Sequence, residues 1–216
     1  MRKFVDIANK ELKRRLIDVS YRRKFSHIGS CLTALSIINE IFKIKKRDEK
    51  FILSAGHAHL AHAVVMEKYG IIKDAEKNIE EHGIHCERIG GCDFSTGSLG
   101  HGISASIGMA LADRNKNVYC LISDGECAEG SVWEALRIKN ELELNNLKIY
   151  LNYNGWGAYK AIDNRLMQRL VHFGFDMDNI YHTEFNMLLP ILREPQEAHY
   201  VVLDKEKYDK IMEVLK

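Results

Sequence analysis

Apolar positions recur at helical spacing from the start of the chain. Phe4, Ile7, Ala8, Leu12, Leu16 and Val19 predict an amphipathic helix over residues 3–19. A second apolar helix is expected from Leu32 to Phe42, followed by a basic, charged loop. Phe51-Ile52-Leu53 reads as a short buried strand, 58–69 as a helix ending at Gly70, and 99–113 as a glycine-rich helix able to pack closely. The run Val118-Tyr-Cys-Leu-Ile122 is continuously apolar and of strand length. Ser123-Asp124-Gly125 then turns the chain, and 128–143 carries Ala128, Val132, Ala135, Leu136 and Leu142 on one side of a helix. Leu147-Lys-Ile-Tyr-Leu151 is the next strand. Strand, helix and strand with apolar strands form a βαβ unit, which implies a parallel sheet covered on both faces. His199-Tyr-Val-Val-Leu203 is expected as an edge strand before a short terminal helix. The expected fold is one α/β domain over residues 1–216, a doubly wound, mostly parallel sheet with helices on both faces.

Composition narrows the function. The 216 residues are 46% hydrophobic, enough for a substantial core, and 31 Lys and Arg against 30 Asp and Glu leave a charge of +1. That balance argues against nucleic acid as a partner and against a charge-rich disordered chain. The longest uncharged stretch, 94–112, is too polar to span a membrane. The N-terminal Lys and Arg alternate with Asp6, Glu11 and Asp18, as on a solvated helix face and not in a targeting peptide. Five cysteines without a CxxC pair suit a reduced, cytoplasmic protein. Only two prolines occur, where average usage of about 5% would give roughly eleven, so glycine does most of the turning. Glycines gather at 29, 83–102, 125–130 and 155–157, which marks these places for function.

Asp124 closes one predicted strand and Asn154 the next, so both fall at the carboxyl edge of the sheet, where open α/β folds bind ligands. A carboxylate, an amide oxygen and a backbone carbonyl near Trp156 suit a hard cation such as magnesium, which commonly shares its shell with substrate phosphates. Gly125 allows close approach of a diphosphate, and the helix after it is expected to offer its first amides to that anion. Taken singly, Asp124-Gly125 and Asn154-Gly155 read better as plain turns. Their joint spacing around one βαβ unit is what points to a site.

Five blocks in order then resemble the thiamine-diphosphate-binding module of transketolase. They are Ser26-His27-Ile-Gly29, Leu53-Ser-Ala-Gly-His57, His85-Cys-Glu87, Thr96-Gly-Ser-Leu-Gly-His-Gly102, and Ser123-Asp-Gly-Glu-Cys-Ala-Glu-Gly-Ser-Val-Trp-Glu-Ala135 with Asn152-Tyr-Asn154. The resemblance implies that Asp124, Asn154 and the Trp156 carbonyl hold Mg2+, or Ca2+ or Mn2+. It implies that Ser123, Gly125, Glu126 and Asn154 meet the diphosphate side of the cofactor, and that Gly97, Ser98 and Leu99 line its rings. His27, His57 and His85 would face the reacting sugar, and Glu129 would lie at a subunit interface in a proton link between active sites. The family's pattern also implies a partner chain, a pyrimidine-binding subunit of the C-terminal transketolase type, because the glutamate that activates the cofactor sits on that second module. A heterotetramer of two plus two chains is expected, transferring a two-carbon ketol unit between sugars or sugar phosphates, with the 97–102 segment, Glu126 and Glu129 on its interface.

The sequence departs from the family at several positions. Ser123 replaces a glycine, Asn152 an aspartate, and Ile28, Cys86 and Ser98 stand where the family has proline. The likeness fades over 172–216. Other readings are a split 2-oxo acid dehydrogenase, a deoxyxylulose-phosphate synthase, or a non-catalytic scaffold of the same fold. His57-Ala-His59-Leu-Ala-His62 echoes a binuclear zinc hydrolase signature, but Ala61 stands where that signature needs aspartate. Gly97-x-x-Gly100-x-Gly102 lacks both the spacing and the preceding strand of a dinucleotide loop.

Overall fold

Val118–Ser123 is buried at all six residues, and a strand with no polar face needs cover on both sides. That demand organises the molecule. The computed structural model describes residues 2–3, 9–157, 160–163, 165–183 and 195–216. Its strands are β1 (Arg2–Lys3), β2 (Lys50–Leu53), β3 (Val118–Ser123), β4 (Leu147–Tyr153) and β5 (Ile180–His182). All pair in parallel, in the order β1-β5-β4-β3-β2.

Nine helices are described: α1 (Lys10–Arg23), α2 (Ile28–Ile44), α3 (His59–Lys68), α4 (Ala75–His82), α5 (His101–Ala112), α6 (Gly130–Glu141), α7 (Leu166–His172), α8 (Pro195–Tyr200) and α9 (Lys205–Val214). The strand residues divide between two cores with a period of two. Phe51, Leu53, Tyr119, Leu121 and Tyr150 pack under α1–α4, α8 and α9. Ile52, Cys120, Ile122, Ile149 and Leu151 pack under α5, α6 and α7. Each fully buried Leu or Ile contributes roughly 1.5–3 kcal/mol. The expected doubly wound α/β architecture is therefore present.

Three differences stand out. The stretch His199–Leu203 is not an edge strand: Pro195–Tyr200 is helical, and 201–204 follows without regular structure. Proline is well placed as the first residue of a helix, since the amide it lacks has no intrahelical partner there. α4, α7, β1 and β5 were absent from the expected elements. The first helix begins at Lys10, and the apolar positions Phe4, Ile7 and Ala8 of the expected helix lie outside the described residues. Among the described residues no helix is long and apolar enough to cross a membrane.

Candidate active site

Parallel strands deliver their carboxyl ends to the same edge, and β3 and β4 do so side by side, with Ser123 opposite Asn152. Asp124 follows at once and is almost wholly buried, 1% exposed. Its Oδ1 accepts the Gly125 N–H at 2.9 Å and its Oδ2 accepts the Gly155 N–H at 2.7 Å, so one carboxylate joins the turns after both strands. Burial pushes this carboxyl up to about 7, opposed by those amides. Asn154 Oδ1 accepts the Trp156 N–H at 3.0 Å, which folds the second turn back on itself. The Trp156 carbonyl oxygen lies beside Gly125, 3.9 Å from where a Cβ there would stand. The Trp156 indole N–H is buried without a hydrogen-bond partner among the described residues.

These groups open into a cavity of about 280 Å³ that also receives His27, His57, His85 and His199. His27 precedes α2 in the left-handed region, φ +62°, a conformation that costs a non-glycine residue about 1 kcal/mol or more. Its N–H donates to the His199 carbonyl at 2.7 Å, which ties the start of α2 to α8. The His27 and His57 rings lie 5.4 Å apart, and Ser30 Oγ meets His199 Nδ1 at 2.9 Å. Burial lowers His57 to about 3, helped by His27, His199 and His85. Burial and then His27 lower His199 to about 4, and burial and then His85 lower His27. The three imidazoles are uncharged at neutral pH, able to donate or accept a hydrogen bond.

Most of the expected site residues meet here. His27, His57, His85, Gly97, Leu99 and Ser123 line the cavity, as do Asp124, Gly125, Asn154 and Trp156. Ser98 and Glu129 are exposed outside it. Glu126 needs correction, because it is neither a surface residue nor open to a ligand. It is fully buried, and its Oε1 accepts Ser54 Oγ–H at 2.6 Å and the Gly100 N–H at 2.8 Å, while Oε2 accepts the Ser123 N–H at 3.0 Å. Its carboxylate fastens the 96–102 loop to the ends of β2 and β3. The expected row of free helix amides also differs. A 3₁₀ turn over Gly125–Ala128 precedes α6, and within it the Gly125 and Glu126 amides already bond Asp124 Oδ1 and Ser123 Oγ.

Two glycines make this crowding possible. Gly102 brings α5 so near β2 that a Cβ would stand 2.6 Å from Ser54 Cα. Gly100 has φ +80°, and its Cβ position is filled by Ser131 Oγ at 2.3 Å. Ser30, Asn152, His199 and Tyr200 also line the cavity without having been expected there. Asn152 is held by Thr33 Oγ1 at 2.9 Å and Thr183 Oγ1 at 3.2 Å, which ties β4 to α2 and to the end of β5.

Known proteins share this fold and part of this sequence. Residues 2–188 match the family model of 1-deoxy-D-xylulose-5-phosphate synthase. One subunit of the apulose-4-phosphate transketolase of Phocaeicola vulgatus is 30% identical over 171 residues, 69% of this chain and 60% of that protein. Human transketolase is 32% identical over 154 residues, 61% of this chain and 24% of that protein. The structure of transketolase from Campylobacter jejuni superposes with a TM-score of 0.68 at 15% identity, over 95% of this chain and 43% of that one. The chain thus spans less than two thirds of each of these relatives.

Proposed function

Since the chain belongs to the thiamine-diphosphate-binding family of the N-terminal modules of 1-deoxy-D-xylulose-5-phosphate synthase and transketolase, we propose that it is the diphosphate- and cation-binding subunit of a two-subunit transketolase. The observation that carries this reading is the meeting of Asp124, Asn154 and the Trp156 carbonyl at the ends of two neighbouring parallel strands, in one cavity with four histidines. Residues 1–216 act on this reading as one diphosphate-side domain.

The residues present fit a cation–diphosphate pair. Magnesium, or calcium or manganese, takes oxygen ligands, and the Asp124 carboxylate, the Asn154 amide oxygen and the Trp156 carbonyl supply them. Gly125 keeps the approach clear of a side chain. When bound, thiamine diphosphate supplies the carbon nucleophile for breaking and forming the bond beside a ketose carbonyl. This chain's own part is to bind, orient and dry the site. Uncharged His27, His57 and His199 hydrogen-bond the sugar's hydroxyl and carbonyl oxygens, and exposed His85 joins them beside Gly97. Ala34, Leu53, Ala55 and Leu121 form an apolar wall that excludes water.

The Phocaeicola vulgatus relative is by name one subunit of a transketolase, which supports a split enzyme. The partner on this reading is a pyrimidine-binding subunit of the C-terminal transketolase type, and two copies of each chain give a heterotetramer. Exposed Glu129, packed beside Gly100, sits at that interface. The cytoplasm is the proposed compartment, since five unpaired buried thiols suit a reducing one.

The test mixes this chain with its candidate partner, with thiamine diphosphate and magnesium, and follows ketol transfer from a ketose phosphate to an aldose phosphate. A ketose two carbons longer than the acceptor, formed only when both chains are present, is the expected product. Full activity of this chain alone would contradict the split assignment. The family-model match supports a second reading, a deoxyxylulose-phosphate synthase, in which the same mixture yields a 1-deoxyketose phosphate from a 2-oxo acid donor. Neither product from the assembled pair would favour a non-catalytic scaffold.

A further inference from the structure

Behind the cavity wall, the start of α3 and the 83–97 loop place two imidazoles and two thiols face to face. His59 and His62 lie three residues apart on the first turn of α3, which puts them on one face. Cys86 and Cys92 come from the loop, where Cys86 bridges Thr96 and the Cys92 amide returns to the Glu87 carbonyl. All four side chains are buried. Their ligand atoms lie within 4.8 Å of one another.

Cys86 Sγ is 3.4 Å from His59 Nδ1 and 3.8 Å from His62 Nδ1, and Cys92 Sγ is 3.8 Å and 3.6 Å from the same atoms. A tetrahedral zinc ion with Zn–S near 2.3 Å and Zn–N near 2.0–2.1 Å has sulfur-to-nitrogen edges of about 3.6 Å. The four observed edges bracket that length. Both rings turn Nδ1 toward the thiols, and His59 Nε2 has no hydrogen-bond partner among the described residues, so no polar network on that side explains the ring's position. Phe42 and Phe51 pack edge-on against His62, leaving the cluster in apolar surroundings.

We propose that His59, His62, Cys86 and Cys92 bind one zinc ion as a closed structural site. Binding releases the two thiol protons to solvent, and two thiolates then neutralise the 2+ charge, which is what an apolar setting requires. Thiolate and imidazole ligands together suit zinc and disfavour magnesium or calcium. With four protein ligands no position is left for water, so the site is not a hydrolase centre, and His57, the first histidine of the hydrolase-like run, lies instead in the cavity. Its service is positional. Cys86 is the neighbour of His85 and His59 stands two residues after His57, so the ion pins together the two segments that carry these cavity histidines.

The test purifies the full chain without added metal and measures zinc by elemental analysis, before and after dialysis against a chelator. One zinc per chain is expected, falling at least tenfold in Cys86→Ser and Cys92→Ser. If these variants do not fold, the wild type decides. Chelated protein refilled with cobalt(II) should give the intense thiolate-to-cobalt band and the visible bands of a tetrahedral site. Iodoacetamide should label Cys86 and Cys92 only after chelation. Substoichiometric zinc with no cobalt spectrum, a Cys86–Cys92 disulfide in the purified protein, or labelling unaffected by the chelator would each overturn the proposal. None of these readouts involves thiamine diphosphate, so their failure would leave the transketolase reading standing.

Discussion

His199 shows how a single residue couples the cavity to solution conditions. Its imidazole is neutral down to about 4 in the fold, whereas in an unfolded chain it titrates at 6.5. As pH falls, the unfolded chain therefore takes up the proton first. The stability tied to neutral His199 is complete above 6.5 and drains away between 6.5 and about 4. Asp124, raised to about 7, works in the opposite sense over the same range, so the ring's share is read as a difference: the melting midpoint of the wild type relative to His199→Asn should fall between pH 6.5 and about 4. An identical slope in the variant would mean that burial of this ring does not control it. Nothing in the sequence marked His199, because it lies far beyond the last matched block and was expected in a strand. Asp124 and Asn154 were legible for the opposite reason. Each ends a strongly apolar strand, and the parallel sheet then has to bring them together. Glu126 was legible as important but not in its role, because adjacency to Asp124 in sequence says nothing about which way its carboxylate points.

Among the elements, the approach of α5 to β2 is the most demanding contact near the site. Gly102→Ala would drive a methyl group to 2.6 Å from Ser54 Cα, against backbone that cannot step aside. A loss of about 1–3 kcal/mol is expected, measured as a lower urea midpoint, and an unchanged midpoint would contradict the packing described. Elements with long apolar patterns, α2, β3 and β4, could be read from sequence within a few residues. α4 could not: it is charge-rich and short, although Asp74, whose side chain accepts the Lys77 amide, does mark its start. β5 has only three residues and offers no period to detect. The metal quartet was hidden by its division. Its histidines begin one helix, its cysteines sit in a loop beyond another, and the fold alone joins them.

At the scale of the whole molecule, the cavity opens beside exposed Gly97, Ser98 and His101, with Glu129 next to them. A partner module covering this edge would complete the site. Glu129→Lys should leave the melting temperature of the isolated chain unchanged, since the side chain is exposed, and should weaken assembly at least tenfold in sedimentation with the partner. Unaltered assembly would move the interface elsewhere. The deciding measurement is calorimetric titration of thiamine diphosphate, with magnesium, into the complex of this chain and its partner. The expected result is one saturable site for each copy of this chain, lost on chelation of the metal and lost in Asp124→Ala. Thiamine without its diphosphate should bind far more weakly. Equal affinity in wild type and Asp124→Ala, with the variant folded, would contradict the assignment of Asp124, Asn154 and Trp156 as the seat of the cation and diphosphate.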